Sequence, residues 1–148
     1  MKKSFFLWMP FIVLVACSQT KIEDTLESDK KALFAVEESQ FIDEKQYFDS
    51  SIVTEEKDDS YVVRFVISDV KKTYHKVKVL VSDKDKNTFF FGYNNVDYTL
   101  VDSKTEKDEK RNIYHGIRIS FSSKDDVTDL NVYFQSEEIT FFFHADKE

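Results

Sequence analysis

Apolar residues recur at every second position in several segments of the chain. Tyr61, Val63, Phe65 and Ile67 show this spacing, and the segment 77–81 repeats it with three valines. A period of two is typical of β-strands, because successive side chains of a strand point to opposite faces of the sheet. Further strands are predicted at residues 88–93, 97–102, 112–121, 130–134 and 139–144. Polar turns separate most of these segments, which favours antiparallel pairing.

The predicted fold is mainly β, an immunoglobulin-like antiparallel β-sandwich of about seven strands with a short N-terminal helix. The alternative is an α+β fold, in which the N-terminal helix covers one face of an antiparallel sheet. Within the strand region, Asn94-Asn95 predicts a tight turn that joins residues 88–93 and 97–102 in a hairpin. Residues 32–48 fit either a helix with an irregular continuation or a first strand.

The first 17 residues follow the layout of a secretory signal. Lys2 and Lys3 precede an apolar run at residues 5–15, and Ala16 stands directly before Cys17. The run is shorter than the ~20 apolar residues that a membrane-spanning helix needs. It therefore predicts a cleaved signal and not a permanent span.

The sequence Leu14-Val15-Ala16-Cys17 resembles the lipobox of bacterial lipoproteins. The resemblance implies that a diacylglycerol is attached to the sulfur of Cys17 and that a peptidase cuts just before this residue. The predicted organisation is a signal peptide at residues 1–16, a polar tether at 17–31 and one β-rich domain at 32–148. The protein is then extracytoplasmic and lipid-anchored to the cell membrane, or to the outer membrane if its source is Gram-negative.

Cleavage would remove 16 of the 148 residues and leave 132, and the loss of Lys2 and Lys3 would move the formal charge from −7 to −9. A chain this acidic argues against nucleic acid as a partner, because nucleic acid is bound by clusters of lysine and arginine. We expect two partners, the membrane through the lipid and an envelope or extracellular protein. The predicted function is a tethered protein-binding module, with an immunity or inhibitor protein as its sharpest form.

The histidines His75, His115 and His144 are the candidates for the alternative function, an envelope enzyme with a histidine and carboxylate site. They form no close pair such as HxH, and no GxSxG motif is present. Residues 83–87 have the DxDxN spacing of a calcium loop, but Thr88 stands directly after them, where that loop requires glycine. The chain is therefore predicted to have no catalytic residue, no metal site and no cofactor.

Two triplets, 89–91 and 141–143, consist of phenylalanine alone, so these strands are apolar on both faces. A strand with one face in water should alternate, and something must therefore cover the second face. Phe90 and Phe142 are predicted on that second face. Either the segment 33–41 covers them, or they form an exposed interaction surface.

Overall fold

In a computed structural model, which describes residues 25–94, 97–106 and 113–147, the chain forms two antiparallel sheets. The first has the order β1-β2-β7 and consists of β1 (Asp49–Lys57), β2 (Ser60–Ser68) and β7 (Ile117–Ser123). The second has the order β4-β3-β8-β9 and consists of β3 (Lys78–Ser82), β4 (Thr88–Phe91), β8 (Asp129–Gln135) and β9 (Thr140–Asp146). The prediction of a mainly β fold is confirmed.

The two sheets pack face to face around one hydrophobic core. Alternate residues of β7 are buried, and Ile119 and Phe121 belong to the same cluster as Phe134 and Phe143 of the other sheet. Phe89 and Phe121 close one side of the sandwich with rings stacked 3.8 Å apart between centroids. Each sheet thus turns one apolar face inward, as a β-sandwich requires.

The strand order is that of an immunoglobulin-like sandwich. β1 and β2 form a hairpin, the chain crosses to the other sheet for β3 and β4, and it returns to place β7 beside β2. β8 then lies between β3 and β9. In the lettering of immunoglobulin domains these sheets are A-B-E and C′-C-F-G. The prediction of antiparallel sheets with a short N-terminal helix is confirmed, and the domain has neither the cysteine pair nor the core tryptophan of true immunoglobulin domains.

The predicted hairpin of residues 88–93 and 97–102 is wrong. β4 pairs with β3, while β5 (Thr99–Leu100) forms a short parallel ladder with β6 (Ile113–Tyr114). Asp83 stabilises the β3–β4 turn, because one of its carboxylate oxygens accepts hydrogen bonds from the backbone N–H groups of Asp85 and Asn87. Such a side-chain cap stabilises a turn locally.

A helix, α1, occupies residues 25–34 and lies on the outer face of the four-stranded sheet. Its Leu33 is buried in a small second cluster with Leu80 and Tyr133. α1 includes residues 25–31 of the predicted tether, and residues 1–24 lie outside the described part of the chain. Short 3₁₀ turns follow at Glu38–Gln40 and Glu44–Gln46. Within the described ranges no helix has the length and apolar character needed to cross a bilayer.

Candidate functional site

Phe90 and Phe142 lie in one row across the outer face of the four-stranded sheet. The register pairs Phe90 with Leu80, Leu80 with Tyr133, and Tyr133 with Phe142. Both residues are therefore on the face opposite the main core, as predicted. The N-terminal segment covers one end of this row more than the other, so the two residues differ in their exposure to solvent.

Phe142 is covered. It packs against the cluster that contains Leu33, and its ring centroid lies 4.8 Å from that of Tyr133. The backbone N–H of Ile42 also donates to the carbonyl oxygen of Phe142, at 3.0 Å. Phe90, at the other end of the row, remains 51% exposed. Of the two candidate surface residues, Phe90 is the exposed one and Phe142 is partly buried.

This difference predicts opposite stability effects for matched substitutions. Phe142→Ser should lower the free energy of unfolding by about 1–3 kcal/mol, because it removes a packed ring and places a hydroxyl beneath the N-terminal segment. Phe90→Ser should change it by less than about 0.5 kcal/mol. Urea unfolding followed by circular dichroism measures both. A large loss from Phe90→Ser would return Phe90 to the core and remove it from any interaction surface.

Phe90 opens into a cleft of about 500 Å³ at the end of β4, which we call the aromatic cleft. The described residues that line it are Phe90, Phe91, Gly92, Tyr93, Asn94, Tyr98 and Tyr114. The rings come from β4, from the segment after it, from Tyr98 directly before β5, and from β6. Aromatic side chains that line a concave surface are typical of binding sites.

Gly92 lets the chain leave β4 and form one wall of the cleft. Its φ of +86° lies in the left-handed region, and a Cβ at this position would approach the carbonyl oxygen of Val77 to 2.3 Å. Glycine is therefore required here. The turn directs Tyr93 toward α1, where its hydroxyl donates to a carboxylate oxygen of the buried Asp29, at 2.7 Å. Burial, together with the hydrogen bond to Asp29, raises the pKa of Tyr93.

The other wall consists of stacked tyrosines. The rings of Tyr98 and Tyr114 are nearly parallel, with centroids 4.3 Å apart, and Phe91 approaches Tyr98 edge to face at 4.5 Å. The Tyr98 hydroxyl donates to the carbonyl oxygen of Gly116 at 2.6 Å, and burial raises the pKa of Tyr98. Tyr114 is 45% exposed. The cleft thus has rings fixed by packing and hydrogen bonds, with Phe90 and Tyr114 the most open.

Sequence reasoning identified Phe90 but missed the tyrosines and Asp29. Tyr93, Tyr98 and Tyr114 are 5 and 16 positions apart and follow no regular period, so no local pattern indicates that they meet. The one local signal was Gly92, directly after three phenylalanines and before Tyr93. A glycine at the end of an apolar strand indicates a sharp change in chain direction.

The histidines do not converge. His75 Nδ1 lies 2.5 Å from Glu138 Oε1, and the His75 backbone N–H donates to Glu138 Oε2 at 2.8 Å. His144 contacts Asn131, Asp129 and Asp146. His115 lies within hydrogen-bond distance of the carbonyl of Thr105. All three histidines are exposed or only partly covered, and none of them is among the described residues that line the aromatic cleft.

His75, Glu137 and Glu138 each offer a ligand atom within 4.8 Å of the others, which is close enough to hold a metal ion. All three side chains are exposed, and Lys76 Nζ lies 3.1 Å from Glu137 Oε1. Ion pairs with His75 and Lys76 already account for both carboxylates. We therefore keep the prediction that the protein has no metal site. The unfolding temperature is expected to be the same with and without a chelator.

The His75–Glu138 pair predicts a pH dependence. The hydrogen bond to Glu138 raises the pKa of His75. Partial burial opposes ionisation of Glu138, but the hydrogen bonds from His75 outweigh this effect and lower the pKa of the Glu138 carboxyl. The pair therefore stabilises the folded protein below the ordinary histidine pKa of about 6.5. This stabilisation is lost as the pH rises through the raised pKa of His75 in the folded state. Because the pair is exposed, we expect at most about 1 kcal/mol.

Glu138→Gln tests this expectation, because glutamine keeps the acceptor for the backbone N–H of His75 and removes the charge. An NMR titration should give His75 a lower pKa in the variant than in the wild type. The variant should also be slightly less stable near pH 5 and equal to the wild type near pH 9. An unchanged His75 pKa would mean that the pair does not form in solution.

Cys17 and the rest of the predicted lipobox lie outside the described residues. No family model, no curated protein and no solved structure matches this chain. The geometry of the aromatic cleft and the chemistry of the sequence therefore carry the functional argument.

Proposed function

We propose that this protein is an extracytoplasmic lipoprotein, anchored through Cys17, whose acidic β-domain binds another protein. The observation that carries the proposal is the aromatic cleft, in which Phe90 and Tyr114 are about half exposed on a domain whose other large apolar side chains are mostly buried. Aromatic side chains are enriched where proteins bind one another, because a rigid ring loses little entropy on contact.

The anchor supplies the location of this surface. From Cys17 to Thr25, the first described residue of α1, the chain has eight residue steps and reaches at most about 28 Å. The domain would then stay close to the membrane that holds the lipid. A binding surface kept at this distance suits capture of a protein that arrives at, or already belongs to, the cell envelope.

The charge of the domain favours a basic partner. The mature chain would carry a formal charge of −9 after loss of Lys2 and Lys3. Opposite net charges speed association and disfavour acidic competitors. In its most specific form, the proposal is that the protein is an immunity or inhibitor protein, which neutralises a cationic toxin or cell-wall hydrolase.

The alternative, an envelope enzyme, would need a histidine and a carboxylate that face a pocket. In the described ranges, the acidic contacts of His75 and His144 lie on exposed side chains and not in the aromatic cleft. We therefore favour binding over catalysis.

Site-specific photo-crosslinking in intact cells tests the proposal. A photoreactive phenylalanine analogue at position 90 should cross-link to the same envelope or extracellular protein in independent cultures. The matched control is the analogue at Val53, which is 49% exposed on the other sheet. Loss of the adduct in a Tyr114→Ala background would tie it to the aromatic cleft. No adduct from position 90, or the same adducts from both positions, would count against the proposed function.

A further inference from the structure

We propose that the aromatic cleft is a docking site for a lysine or arginine side chain of the partner protein. The inference rests on the proposed function for the partner being a protein, and it adds the chemical group that the cleft recognises. A cation placed over an aromatic face is attracted by the negative charge of the π-system. Such binding requires exposed ring faces and a negative electrostatic potential in the cleft.

The free faces belong to Phe90 and Tyr114. Tyr98 already has two ring neighbours, one stacked and one perpendicular to it. Tyr93 has its hydroxyl bonded to the buried Asp29. Phe90 contacts Tyr93 edge to face, with centroids 5.6 Å apart, and is 51% exposed. Tyr114 stacks on Tyr98 and is 45% exposed. A side chain entering the cleft would therefore meet these two rings first.

The surrounding chemistry favours a positive charge. Three of the five rings are tyrosines, and Tyr93 and Tyr98 each donate their hydroxyl proton, to a carboxylate and to a backbone carbonyl. Asp29 adds a buried carboxylate behind Tyr93. The net negative charge of the domain acts in the same direction at longer range.

The domain already pairs cations with rings in this way. Lys78 Nζ lies 5.4 Å from the centroid of Tyr93, and Lys86 Nζ lies 5.7 Å from that of Phe34. Within the described part of the chain, Lys78 forms no ion pair, so the Tyr93 ring is the group that its ammonium faces. The Lys78 ammonium repels a second cation at Tyr93, so an incoming cation is assigned to Phe90 and Tyr114, over which no lysine or arginine lies among the described residues.

A matched pair of probes separates charge from shape. N-acetylarginine methylamide carries a guanidinium group, and N-acetylcitrulline methylamide is its neutral isostere. The full-length chain in maltoside micelles would be titrated with each probe, and the ring resonances of Phe90 and Tyr114 followed by NMR. The arginine probe should bind in the millimolar range and at least about fivefold more tightly than the citrulline probe, and more weakly in high salt.

Variants locate the site. Phe90→Ala and Tyr114→Ala should each weaken the arginine probe by about two- to fivefold, since an exposed ring contributes about 0.5–1 kcal/mol to such a contact. Tyr114→Phe keeps the ring and should bind nearly as the wild type does, as should Val53→Ala on the other sheet. Circular dichroism spectra of all variants should be unchanged.

The outcomes separate this inference from the proposed function. Equal binding of both probes, or no shift of either ring with arginine, overturns the cation site even if cross-linking at Phe90 finds a partner. Preference for arginine without any cross-linked protein supports the cation site and counts against the protein-binding function. Preference for arginine together with a basic cross-linked protein supports both.

Discussion

Phe48→Ala is expected to lower the free energy of unfolding by about 3–5 kcal/mol, enough to unfold a marginally stable domain. Phe48 is completely buried, and its ring centroid lies 5.1 Å from that of Phe134, 5.9 Å from Phe141 and 5.6 Å from Phe143. These partners belong to two neighbouring strands, so removal of the ring leaves a cavity between the sheet and the segment that leads into β1. A packed β-sheet cannot collapse to fill such a space.

Urea unfolding measures the effect as a lower midpoint with an unchanged slope. Phe34→Ala is the matched control, because Phe34 is 40% exposed on α1 and should cost less than about 1 kcal/mol. Similar losses from the two substitutions would mean that the segment before β1 is not packed as described. A smaller slope for Phe48→Ala would instead indicate a less compact native state.

The sheets could be predicted wherever one face of a strand is buried and the other is polar. β7 shows this most clearly, since Ile117, Ile119 and Phe121 are buried while the residues between them are exposed. The period of two follows directly from strand geometry and is therefore visible in the sequence of such a strand. Strands with this pattern carried the prediction of a mainly β fold.

β1 was missed because it buries very little. It spans Asp49–Lys57, lies at the edge of its sheet, and Ile52 is its one fully buried residue. An edge strand has a neighbour on one side only, and polar side chains on such a strand discourage pairing with other chains. A segment of this composition has no alternation that distinguishes it from a loop.

The candidate site was predictable only in part, because its decisive contacts are tertiary. Three consecutive phenylalanines placed Phe90 and Phe142 on the outer face, but their different exposure depends on where the N-terminal segment lies across the sheet. The tyrosines of the aromatic cleft meet because the chain turns at Gly92 and because β5 pairs with β6. Neither the position of α1 nor a parallel pair of two-residue strands has a local sequence signal.

Cys17→Ala is expected to abolish attachment of lipid and to leave the precursor uncut. The proposed anchor is a thioether, which needs the sulfur of a cysteine, and Cys17 is the only cysteine in the chain. Two acyl chains on one residue hold a protein firmly, because each buried methylene contributes about 0.8 kcal/mol and a single chain is marginal. Without them, the mutant should lose its fatty-acid label entirely.

Metabolic labelling with an alkyne fatty-acid analogue, followed by mass spectrometry of the purified protein, measures both effects. Wild-type protein should carry the label and begin at Cys17, whereas the variant should be unlabelled and retain residues 1–16. Ala16→Gly is the matched control, because it keeps a small residue before the cysteine and should still be labelled. Persistent labelling of Cys17→Ala would show that the lipid is attached elsewhere. The eight residue steps between Cys17 and α1 would then no longer set the distance between the aromatic cleft and the membrane.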